Sequence, residues 1–238
     1  VSFTERHLAL MTYEVRLLEG DAPIVISSQI VNKEDFDDYA GRQAAGSDSD
    51  PRKNPGLDHR VLRSQMSWHS PRRMILGYRV TNSGMTLAVG ADHRIETRNM
   101  YTELDDTTED QGRKVYRISA KQGQPIVITK AVAYHTSRSV PVRELSDRVR
   151  RTLDRVRESG FDCHYEAQRQ WLATFWEHSD VSVGATPRIQ QTIRWCIFQL
   201  AQAAARADGA GIPAKGLTGD GYEGHYFWDS EVYMVPFL

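Results

Sequence analysis

Met74-Ile75-Leu76-Gly77-Tyr78-Arg79-Val80, followed by Thr81-Asn82-Ser83-Gly84 and Met85-Thr86-Leu87-Ala88-Val89-Gly90-Ala91, is the stretch that decides the fold. Met74, Leu76, Tyr78 and Val80 recur every second residue, the period of a strand with one face in a core. Asn82-Ser83-Gly84 supplies turn chemistry, and Met85, Leu87, Val89 and Ala91 resume the alternation, so the segment reads as an antiparallel hairpin. Upstream, Tyr13, Val15 and Leu17 alternate with polar residues, Gly20-Asp21-Ala22-Pro23 turns, and Ile24, Ile26, Ser28 and Ile30 continue. Downstream, strands are expected at 115–120 and 126–134, separated by Gly123-Gln124-Pro125. Several short antiparallel strands in succession predict a β-sandwich. Residues 32–58, including Gly46-Ser47-Asp48-Ser49-Asp50-Pro51, have no periodicity and read as a long loop, either functional or disordered.

The period changes after Pro141. Leu145, Val149, Leu153 and Val156 recur at helical spacing, and Gly160 stands where a helix would stop. The arginines among them (148, 150, 151, 155 and 157) are interleaved with Glu144, Asp147, Asp154 and Glu158, which reads as a solvated face rather than an anion site. A second helix is expected from Cys163 to His178, with Trp171, Leu172, Phe175 and Trp176 on neighbouring turns. Thr186 then has the place of an N-cap before Pro187, and Ile189, Ile193, Ile197, Leu200 and Ala204 form the stripe of a third helix ending near Gly209. The order is β-sandwich, helical linker, then the opening of an all-helical unit too short to enclose a core alone. The chain starts at Val1 and ends in Met234-Val235-Pro236-Phe237-Leu238; between a natural end docked into the core and a piece of a longer protein, the second is the expectation.

Composition removes several function classes. The 238 residues hold 30 Lys+Arg against 31 Asp+Glu, a net charge of -1, without the basic excess of a nucleic-acid or polybasic membrane binder. The longest apolar-rich stretch, 195–205, is interrupted by Gln199 and Gln202, short of the roughly 18–20 residues that cross a bilayer. Cys163 and Cys196 form no CxxC pair, and no basic-plus-apolar leader follows Val1, so a cytoplasmic protein is expected. The eight histidines are scattered without an i, i+4 pair, and no metal site is expected. Asp48 and Asp50 begin like a calcium loop, but Lys53 and His59 stand where its glycine and glutamate belong. Gly219-Asp220-Gly221-Tyr222-Glu223-Gly224 matches GxGxxG without a strand before it, so no dinucleotide cofactor is expected. Ser137 and Ser139 lack the surroundings of a nucleophilic serine.

The dense signal is the tail. A glycine-rich loop leads to His225, Tyr226, Phe227, Trp228 and Asp229 at the start of a helical turn. A pyranose offers an apolar C–H face to an indole and hydroxyls to a carboxylate. Such a charge-assisted hydrogen bond contributes about 1.5–3 kcal/mol where water is excluded. On chemistry alone, Trp228 could equally be core and Asp229 or Ser230 a helix cap; for Tyr222 and His225 the packing role is favoured.

Ile212 to Glu231, IPAKGLTGDGYEGHYFWDSE, resembles the signature of glycoside hydrolase family 65, the family of maltose, trehalose and kojibiose phosphorylases and acid trehalases. The resemblance extends through Ala133-Tyr134-His135-Thr136-Ser137-Arg138 and the alanine-rich 195–207 helix to Asp21–Ser28, so it covers nearly the whole chain; Ser230 stands where the family form has Thr. It implies an α+β multidomain protein. Residues 1–138 would be a β-sandwich domain lacking its own first strands, 139–184 a helical linker, and 185–238 the first helices and loop of a truncated catalytic (α/α)6 barrel. Trp228 and Asp229 would hold the glucosyl unit, with Tyr222, His225 and Phe227 lining the same mouth. The implied activity of the full-length protein is inverting phosphorolysis of an α-linked glucose disaccharide to β-glucose 1-phosphate and free sugar. Inorganic phosphate would be the co-substrate, with no cofactor, and a homodimer is compatible. The alternatives are an inverting trehalase-like hydrolase and a non-catalytic carbohydrate-binding β-sandwich. The general acid is expected beyond Leu238, leaving no catalytic residue within the chain and the chain alone inactive.

Overall fold

Residues 1–32, 60–184, 186–204, 211–212, 214, 216 and 225–235 are described by the structure, a computed structural model. The described residues divide into two compact units. One holds 1–2, 7–32 and 60–161, and the other holds 3–6 and the residues from 162 onward. The long polar loop expected over 32–58 falls almost wholly outside the described residues.

The first unit is β-rich and antiparallel. Its strands are β1 (Leu8–Val15), β2 (Ala22–Val31), β3 (Leu62–His69), β4 (Arg73–Val80), β5 (Thr86–Thr97), β6 (Met100–Thr107), β7 (Gln111–Ala120) and β8 (Ile126–Ser137). They form a five-stranded sheet, β1-β8-β5-β4-β3, and a three-stranded sheet, β2-β7-β6. The hairpin read from 74–91 is β4–β5, paired from Arg73↔Asp92 to Arg79↔Thr86, with Gly84 at φ 68° in its turn. The two-residue period sorts each strand between two cores. Met74, Leu76 and Tyr78 of β4, with Ala91 of β5, face Ile30 of the smaller sheet. Ile75, Ala88, Ala131 and Ala133 face the opposite way and meet Leu145, Val149, Leu153 and Val156 of helix α1 (Val142–Ser159). The larger sheet is therefore covered on both sides, which explains why Arg73 to Tyr78 are all buried.

Two glycines set the closeness of α1. A Cβ on Gly77 would lie 2.3 Å from Val142 Cγ1, and one on Gly90 would lie 2.6 Å from Val149 Cγ1. The helix backbone can approach the sheet only because both strands lack a side chain there. Arg73 ties the layers further. Its guanidinium donates to both carboxylate oxygens of Asp92 (2.5 and 2.7 Å) and to Asp154 of α1 (2.8 Å). Arg150 of α1 lies 3.9 Å over the Trp68 ring, so the α1 arginines are not all solvated as expected.

Strands β3 and β6 escape the sequence reading for physical reasons. Ser64 interrupts the apolar alternation of β3, which also carries a bulge between Ser64 and Met66. β6 is acidic, and its partner β7 holds it through Lys114, whose buried ammonium pairs with Glu103 and with Asp105 at 2.8 Å. The inward reading of Tyr13 is corrected: it is 58% exposed, on a strand at the edge of the larger sheet.

In the second unit, α2 (Phe161–Ser179) and α3 (Pro187–Ala204) follow the expected helices. The N–H groups of Ile189 and Gln190 donate to the carbonyl of Thr186, which fits its place ahead of Pro187. Trp171 stacks on Phe3 and on Phe175, with ring centroids 4.3 and 5.4 Å apart. The α3 stripe is only partly covered: Ile197 and Ala201 are buried, whereas Ile189 is half exposed. Among the described residues no helix is long and apolar enough to cross a membrane.

Candidate functional site

The segment 225–235 closes against the start of its own loop. Gly211 lies under the Tyr226 ring, so close that a Cβ there would be 2.9 Å from Cδ2. Ser230 is buried, and its hydroxyl donates to the carbonyl of Ile212 at 3.3 Å. Those two contacts hold a short π-helical turn, Ser230–Met234, at a defined place on the loop. The Tyr226 hydroxyl donates to the Glu231 carboxylate, and this bond pushes the Tyr226 phenol above its usual range. The Tyr226–Glu231 pair is absent from the sequence reading. Its i, i+5 spacing suits a π turn and does not fit the i, i+4 spacing searched for in helices.

The turn presents Trp228 and Asp229 outward. Trp228 is 83% exposed. Asp229 sits just before the turn at φ −55°, ψ −33°, and its side chain makes no capping hydrogen bond. A capping carboxylate normally comes with extended backbone, so it can curl back to the following N–H groups. Asp229 instead has helical backbone, and among the described residues its carboxylate has no hydrogen-bond partner. An exposed indole and an exposed carboxylate thus stand at consecutive positions, immediately before the buried Ser230. Phe227 and His225 are exposed in the same segment. Tyr222 and the whole of Gly219–Gly224 lie outside the described residues, as do Asp48 and Asp50. Among the described residues no group of three or more His, Cys, Asp or Glu side chains is placed to hold a metal. A separate apolar cavity of about 760 Å³, lined by Trp171, Phe175, His178 and Ala201, involves none of residues 225–235.

The family model described as glycosyl hydrolase family 65, N-terminal domain, matches residues 1–175, and the model of the family's central catalytic domain matches 194–238. The chain belongs to glycosyl hydrolase family 65. Trp228 and Asp229 fall within the stretch that matches the family's catalytic domain. An uncharacterized glycosyl hydrolase of Mycobacterium leprae is 35% identical over the whole chain, and the alpha,alpha-trehalose phosphorylase of Thermoanaerobacter brockii is 27% identical over the whole chain. The kojibiose phosphorylase of the same organism is 28% identical over 52% of the chain and 16% of its own length. The chain spans about 29% of the length of the hydrolase and 30% of the trehalose phosphorylase. A solved structure named for kojibiose phosphorylase, from the human microbiome, superposes with a TM-score of 0.75 at 19% identity, covering 97% of this chain and 28% of that one. That likeness shows the fold, which this family-65 chain shares at its β-rich end.

Proposed function

We propose that this chain is the N-terminal part of an inverting α-glucoside phosphorylase, in which Trp228 and Asp229 grip the glucosyl ring of the donor. The observation that carries the proposal is an 83% exposed indole followed directly by an exposed carboxylate that makes no capping hydrogen bond. The indole covers the apolar face of the ring while the carboxylate accepts from two neighbouring hydroxyls, which fixes the sugar's rotation as well as its position. Phe227, His225 and Tyr222 complete the mouth. Residues 1–138 form the β-sandwich domain, 139–184 the helical linker, with α1 as the part seated on the sandwich, and 185–238 the opening of an (α/α)6 barrel.

In a protein of its relatives' length, inorganic phosphate is the co-substrate and attacks the anomeric carbon from the face opposite the leaving sugar. A glutamic acid, which we place beyond Leu238, protonates the departing oxygen. The substrate is an α-linked glucose disaccharide, the enzyme is cytoplasmic, and no metal or organic cofactor takes part. Relatives named as trehalose and kojibiose phosphorylases support this class of reaction.

The test is an assay of the full-length protein on trehalose, kojibiose and maltose, with and without inorganic phosphate. Phosphate-dependent release of β-glucose 1-phosphate is expected; release of glucose without phosphate dependence would establish the hydrolase instead. In the same protein Asp229→Asn should lower kcat/KM about tenfold or more. Near-normal kinetics in that variant would remove Asp229 from the sugar site.

A further inference from the structure

At the start of α1 the first unit has a cavity of about 690 Å³, lined by Gln65, Arg79, Thr86, Arg138, Ser139 and Arg143 among others. Three arginines and no acidic residue line it among the described residues. None of these arginines has an acidic partner there, although most arginines of α1 are paired: Arg148 and Arg151 hold Glu144, and Arg157 reaches Asp154. Glu144, the nearest carboxylate in sequence, is therefore turned along the helix and neutralised by other arginines.

Two further features point the same way. Arg63 and Arg79 are directly paired across β3 and β4, so two like charges stand opposite each other on the face that carries α1. Opposed like charges destabilise a sheet unless an anion lies between them. The N-cap of α1 is Pro141, with no side-chain cap, and the first helical bond runs from Leu145 N–H to the Pro141 carbonyl. The N–H groups of Val142, Arg143 and Glu144 thus have no acceptor among the described residues, and they add their dipoles to the cationic rim.

We propose that this cavity binds a phosphoryl dianion, free or as the monoester of a sugar, at a place separate from Trp228 and Asp229. A carboxylate would leave most of the arginine charge uncompensated. A dianion with three terminal oxygens matches several guanidinium forks at once, and the volume admits a pyranose beside the phosphoryl group.

The test is calorimetric titration of the 238-residue chain at low ionic strength with inorganic phosphate, glucose 1-phosphate and glucose. Saturable binding of inorganic phosphate, weakening with added salt, is expected. Tighter binding of glucose 1-phosphate that persists in Asp229→Asn identifies the sugar monoester as the ligand, and equal affinity identifies the phosphoryl group alone. Arg138→Gln and Arg143→Gln should each weaken binding of inorganic phosphate about tenfold, while Arg157→Gln leaves it unchanged. All four side chains are substantially exposed, so circular dichroism should match the parent in each variant. No saturable phosphoryl binding would overturn the proposal, as would binding lost with Asp229→Asn and kept with both cavity arginine variants. Neither result bears on whether the full-length enzyme is phosphate-dependent, so the two proposals fail separately.

Discussion

Helices α1 and α2 are consecutive in the chain, of 18 and 19 residues, and both carry large apolar side chains at helical spacing. Seven residues of α1 are buried, and none of α2 is. The difference lies in what each helix meets. α1 finds a sheet whose facing residues are Ala88, Ala131 and Ala133, with Gly77 and Gly90 hollowed out beneath it. The rings of Trp171, Phe175 and Trp176 of α2 lie against one another, and Trp171 lies against Phe3. An apolar stripe states that a helix has a face to bury; whether the face is buried depends on residues far away in sequence.

The largest expected effect concerns the polar tie beneath α1. Arg73→Met leaves Asp92 buried without a counter-charge, which should cost about 3–5 kcal/mol, read as a lower urea midpoint for the sandwich unit. Loss below about 1 kcal/mol would mean that shape alone seats the helix. A matched pair then tests the comparison directly. Leu153→Ala should cost about 2–5 kcal/mol, whereas Leu172→Ala, half-buried on α2, should cost under about 1 kcal/mol. Hydrogen exchange resolved by helix is the appropriate measurement, since two units need not unfold together. Equal losses would erase the contrast between the helices.

The smallest effect comes from His93, buried between the sheets with Nε2 2.7 Å from Ser28 Oγ and Nδ1 unpartnered. Burial, reinforced by the charges of Lys130 and Lys114, pushes its pKa down to about 3 from an ordinary 6.5. The folded protein holds this imidazole neutral, whereas the unfolded chain takes up a proton near pH 6.5. Stability from His93 is therefore complete above that pH and declines as pH falls towards 3, by at most about 1.4 kcal/mol per pH unit. Between pH 7 and 5.5, above the carboxylate range, His93→Gln should flatten the dependence of the urea midpoint on pH. An unchanged slope would assign that dependence to other groups.

The β4–β5 hairpin is legible in the sequence because both strands alternate large apolar residues around a turn whose glycine has positive φ. α1 is legible as a helix, yet its seat is not, since that depends on two glycines in separate strands coming beneath Val142 and Val149. β6 is hidden because charge pairing with Lys114 substitutes for apolar pattern. At the site, the pairing of Trp228 with Asp229 can be read directly from residue types. Whether Asp229 caps the turn cannot, because that rests on a backbone angle at one residue, which residue type does not determine.

β1 pairs residue for residue with β8, from Leu8↔Ala133 to Val15↔Ile126. β1 thus has no β8 partner until on the order of 100 further residues are made, about 5–20 s of synthesis. During that interval the edge that β8 will cover is open to association with other chains, so the long separation of the two strands in sequence becomes an interval of exposure during synthesis.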